Sequence, residues 1–160
     1  MTDVSSGIVA DQLTKVLREA FEGPPGPWSY FTDTYPEAGV FGTIGRLSAV
    51  DASRRAGSSG TTIAGHVQHL CSSLVISTRW IRGELTSRER NETWKVSAVD
   101  DAGWTELQER LRREYETLTL QVETQAVWDE AALGGALGAI AHTAYHLGAI
   151  RQRLALSGAE

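Results

Sequence analysis

The chain has 160 residues, 41% of them hydrophobic and 22% charged, enough to bury a real core in one ordinary globular domain. Its net charge of −5 is a poor match for nucleic acid, which requires a basic face. A single cysteine, Cys71, rules out an intrachain disulfide, no apolar run matches a membrane span, and no signal segment opens the chain. The expectation is one domain over 1–160 in the cytoplasm, with no membrane and no nucleic-acid partner.

The first helix is predicted from about Ile8 to Phe21. Val9, Leu13, Val16 and Ala20 form its stripe, and Ser5 or Ser6 can cap it. The Gly and Pro residues from Gly23 to Pro27 end it. A long connection follows, with Trp28, Tyr30, Phe31, Tyr35 and Phe41. That many aromatics predict a segment packed against the body. Leu47 to Asp51 reads as a short helix and Gly57 to Gly60 as a hinge.

A second long helix is predicted from near Thr62 to near Gly83, with Ile63, Val67, Leu70, Leu74 and Ile81 on one face. Asp100 or Asp101 caps a third, which turns Trp104, Leu107, Leu111, Tyr115, Leu118 and Val122 inward. Asp129 caps a fourth that runs to about Leu156. It is apolar nearly all round, which predicts a central place. The basic residues Arg110, Arg112, Arg113, Arg151 and Arg153 are interleaved with acids or apolar positions and read as solvated helix faces. No alternating strand pattern occurs. The expected fold is all-α, a four-helix bundle with a long connection after the first helix.

All four histidines fall in two of these apolar stretches. His142 and His146 stand four apart, so their side chains lie one above the other on the same helix face. Two imidazoles among alanines are costly to bury unless something binds them, and a divalent metal does so. His66 and His69 lie on the second helix. At about 100° per residue, His66 sits roughly 70° from the centre of the apolar stripe and His69 roughly 130° away on the same side. Helical phase alone makes His66 the more inward residue, yet Ser73, Ile76 and Trp80 extend an apolar face beside His69. Cys71 lies about 200° round the helix from His69 and reads as a small core residue.

The run from Thr62 to His69 and Leu70 resembles the Thr-led helix and His-Leu pair of the DinB/YfiT-like superfamily. The run His142, Tyr145, His146, Gly148, Ile150 resembles the His-x-x-x-His-x-Gly-x-Ile pattern of that superfamily's last long helix. The order of elements is similar over most of the chain. The resemblance implies a four-helix bundle, commonly a homodimer, with three histidines on one divalent metal. It implies His69, His142 and His146 as the ligands. His66 falls on a position that is usually apolar in the family. It stands as a partner behind the ligands, a substrate contact or the third ligand itself.

Three imidazoles leave open positions on a metal, as in catalytic sites. The resemblance implies a metal-dependent thiol S-transferase or a hydrolase acting on a small molecule, with a low-molecular-weight thiol as one candidate substrate. The chain departs from the thiol-transferase pattern after the first ligand, with Cys71, Ser72 and Ser73 in place of an aspartate and a further histidine. The alternative is a non-catalytic, stress-related bundle that binds metal or a small molecule. Three nitrogens suit zinc, nickel or iron alike.

Overall fold

In a computed structural model the structure describes residues 5–55, 60–84 and 98–157. Six helices and no strand occur among them. They are α1 (Ser6–Glu22), α2 (Val40–Gly45), α3 (Ala49–Ala52), α4 (Ile63–Ile81), α5 (Asp101–Thr124) and α6 (Glu130–Ser157). The expected hinge at Gly57 to Gly60 lies outside the described residues except for Gly60.

The long helices begin where short polar side chains can satisfy free backbone amides. Ser5 accepts from the Ile8 amide, Thr62 from Gly65, Asp100 from Gly103 and Asp129 from Ala132. Helix α1 stops at Gly23, whose φ of 98° is left-handed and favours glycine.

Helix α4 packs on both α5 and α6, and α1 packs on the same two helices from the other side. One core runs between them, built from residues such as Leu17, Phe21, Leu70, Leu74, Leu111, Leu118 and Ile150. The expected inward face of α5, from Trp104 to Val122, is buried throughout. Helix α6 is not central. It buries Ala132, Ala136, Ala139, Thr143, His146 and Ile150 along one face, while Leu133, Leu137 and Tyr145 stay exposed on another. Its alanines and glycines make it apolar all round without giving every face an area worth covering.

Those small residues bring α6 close to α4. A Cβ added at Gly135 would stand 3.2 Å from Trp80 Cβ and 3.3 Å from the Ser77 carbonyl oxygen. The two histidine-bearing helices therefore lie in tight register.

The connection after α1 is not held by its aromatics as expected. Trp28, Tyr30, Phe31 and Tyr35 are exposed, and of the five only Phe41 packs against the core, beside Phe21 and Tyr115. The segment is held by Glu19 instead, a carboxylate only 1% exposed on α1. It accepts from the backbone amides of Tyr30, Phe31 and Thr32 at 2.8–2.9 Å and from the Thr32 hydroxyl at 3.0 Å. Burial pushes its pKa up, but the four donors outweigh burial and hold the carboxyl below its ordinary value.

A group with a lowered folded pKa stabilises above its unfolded pKa, and that stability fades as pH falls through the folded value. Protection of the Tyr30, Phe31 and Thr32 amides from hydrogen exchange should therefore be full at neutral pH and decline below about pH 4. Glu19→Gln should cost about 2 kcal/mol in denaturant unfolding, the scale of hydrogen bonds to a charged acceptor. A variant of unchanged stability would show that the carboxylate does not anchor the segment.

Candidate metal centre

Helices α4 and α6 supply all the histidines. On α6, one helical turn brings His142 and His146 together, with their Nε2 atoms 3.0 Å apart. On α4, His69 turns its Nε2 to within 3.1 Å of His142 Nε2. One nitrogen from each of His69, His142 and His146 lies within 4.8 Å of the others.

A tetrahedral ion with nitrogens at about 2.0–2.1 Å requires its donors about 3.3 Å apart. The observed 3.0 and 3.1 Å fall within a few tenths of an ångström of that spacing. The three histidines are placed so that they could hold a metal ion. His69 and His142 are half-buried and His146 is 1% exposed, so the cluster opens outward on the side of the first two.

His66 is more deeply buried than His69, at 6% exposure, as helical phase indicates. It nevertheless stands outside the convergent trio. Its Nδ1 lies 2.7 Å from Nδ1 of His146, on the edge of that ring turned away from His142. Its Nε2 lies 3.2 Å from the Thr61 hydroxyl. Arg153 of α6 reaches over to the same residue, donating from Nη2 to Thr61 Oγ1 at 2.8 Å and from Nη1 to the Thr61 carbonyl.

Burial pushes the His146 imidazole down to about 3, aided by the nearby His142, His66 and His69. Burial, then the Arg153 charge and His69, pushes His66 down to about 4. Both rings are neutral at neutral pH and keep the lone pairs that a metal or a hydrogen bond requires.

Thr61 and Arg153 escape sequence reasoning, which reads Arg153 as a solvated face. The signal lies in its spacing. Arg153 follows His146 by seven residues, which returns it to within about 20° of the same helix face. Tyr145 packs its ring edge on His146 at 5.1 Å between centroids, yet it is 70% exposed, so it shields little. Arg151 points elsewhere, to Asp33, the Tyr35 hydroxyl and the Ala38 carbonyl.

Cys71 is fully buried in the core, as its place on the helix indicates. Burial pushes its thiol up to about 12. It is neither a thiolate donor nor a nucleophile at neutral pH. A disulfide reagent should leave the folded chain unmodified and titrate one thiol only after denaturation. Rapid modification of the native protein would contradict this placement.

No family model, curated protein or solved structure matches this chain.

Proposed function

We propose that the chain binds one divalent metal through His69, His142 and His146 and uses it to activate a small-molecule nucleophile. The convergence of three Nε2-bearing imidazoles from two helices carries this reading. A metal held by three nitrogens keeps open positions and lowers the pKa of a water or thiol that it binds. Taken with the resemblance to the DinB/YfiT-like superfamily, the reading is a metal-dependent thiol S-transferase, with a low-molecular-weight thiol as substrate, or a hydrolase. The chain's own residues supply three neutral donors, a rigid two-helix frame and a half-open face for the substrate. The same reading makes the all-helical fold a four-helix bundle similar to the DinB/YfiT-like superfamily, on the motif resemblance and the packing of the four long helices.

A homodimer in the cytoplasm belongs to this proposal. Leu133, Leu137 and Tyr145 leave an exposed apolar face on α6, which suits a second copy. No helix among the described residues is long and apolar enough to cross a membrane. Sedimentation of the purified chain should give twice the mass of a single chain. A monomer at all concentrations would remove the dimer from the reading.

Protein purified without a histidine tag should carry or take up about one zinc or nickel per chain, the stoichiometry of a single three-ligand site. Alanine at His69, His142 or His146 should each weaken binding by orders of magnitude. Circular dichroism should still show a folded chain, since the apolar core supplies most of the stability. Turnover of a thiol with an electrophile, or of a hydrolysable ester, should be lost in the same variants. A wild-type chain that takes up no metal would overturn the proposal. A His142→Ala variant that unfolds would assign the metal a structural role and favour the non-catalytic reading.

A further inference from the structure

Each neutral imidazole carries one N–H and one lone pair. The hydrogen bonds running from His146 through His66 to Thr61 therefore have two self-consistent proton arrangements. In the first, His146 donates from Nδ1 to His66 Nδ1, and His66 donates from Nε2 to the Thr61 hydroxyl oxygen. In the second, the direction reverses. Thr61 then donates to His66 Nε2, His66 donates from Nδ1 to His146 Nδ1, and the His146 proton sits on Nε2. That nitrogen is the one turned toward His142 and the convergence point. Only the first arrangement leaves it a lone pair to give. Arg153 is a donor in both, because a guanidinium has no acceptor.

We propose that His66 is the positioning residue of the site: it accepts the Nδ1 proton of His146 and so holds that ring in the tautomer whose Nε2 faces the metal. This rests on the three-histidine metal reading above. A carboxylate or a backbone carbonyl usually fills this place behind a metal-bound imidazole. A neutral imidazole does the same work without adding negative charge behind the centre, which leaves the ion's charge undiminished toward substrate.

The rest of the path fixes the acceptor. Thr61 immediately precedes Thr62, the capping residue of α4, and so stands at the fixed start of that helix. Arg153 grips Thr61 through both its hydroxyl and its carbonyl. The path leaves α6 at His146, crosses to α4 through His66 and returns to α6 through Thr61 and Arg153. The ring that it closes fixes where His66 stands relative to His146.

The test is run on the full chain with nitrogen-15 in its histidines, loaded with zinc. Long-range proton–nitrogen spectra should show His146 protonated on Nδ1 and His66 protonated on Nε2 with a bare Nδ1. Zinc titration of His66→Leu should give affinity about 10- to 100-fold weaker, the usual cost of losing such a partner. His66→Gln, whose side-chain oxygen accepts the same proton, should recover most of the loss. Cobalt spectra of both variants should keep the wild-type ligand number.

His66 protonated on Nδ1 in the zinc form would overturn the proposal. So would equal affinities for wild type and His66→Leu, or no recovery in His66→Gln. A loss as large as that of His69→Ala, with a changed cobalt spectrum, would make His66 a ligand instead. If His66→Leu fails to fold, the wild-type tautomers decide alone. A wild type that binds no zinc defeats the metal reading and this proposal with it. Zinc bound through three histidines alongside an unaffected His66→Leu defeats this proposal only.

Discussion

The close approach of α6 to α4 is the constraint on which the rest depends. It exists because α6 offers Ala132, Gly135, Ala136 and Ala139 where larger side chains would hold the helices apart, and because α4 answers with small groups such as Ser73 and Ser77. One turn further along, the same closeness forces four imidazoles into a space where each ring meets another. Ring centroids of neighbouring histidines stand only 4.4–5.0 Å apart. Eight ring nitrogens in a half-dry space each require a partner, because an unsatisfied polar atom there costs about 1–3 kcal/mol. A metal at the convergence point would take Nε2 of His69, His142 and His146, and the hydrogen bonds from His146 through His66 to Thr61 take three more of those nitrogens.

Much of the helical layout was legible because its signals are local. Ser5, Thr62, Asp100 and Asp129 each precede an apolar stripe and each caps a helix. Helix α2 was not legible. Its six residues include two glycines, too short and too poor in propensity to form alone, and it holds its shape because Val40 and Ile44 enter the core. The exposed face of α6 was hidden for a different reason. A helix of alanine and glycine reads as uniformly apolar, whereas burial follows the area a face can cover, and leucine and tyrosine on the open side have no neighbouring helix to meet.

The histidines show how far helical phase reaches. The wheel ranks His66 as more inward than His69, and it is. The wheel does not say which way a ring edge turns. His66 is deep enough to lie behind His146, against the nitrogen facing away from His142, while the shallower His69 meets the front. Depth and convergence are separate quantities in a site built across two helices. The family resemblance selects His69 by position along the helix, and the structure brings that residue to the convergence point. Thr61 lies outside any helical pattern, so no periodicity could have pointed to it.

Charged groups place the segments that the apolar stripes leave undetermined. Glu19 holds residues 30–32 to α1, and Arg151 holds Asp33, Tyr35 and Ala38 to α6. Two residues on, Arg153 holds Thr61 at the start of α4. Residues two apart on a helix point about 160° apart once the full turn is counted. One short stretch of α6 thus secures the long connection on one side and the histidine cluster on the other. Apolar contact is non-directional and could leave either segment free to slide. A buried carboxylate with four donors, or a guanidinium with fixed donor geometry, allows little such freedom. The apolar pattern decides which helices meet, and these few polar anchors decide where the chain between them comes to rest.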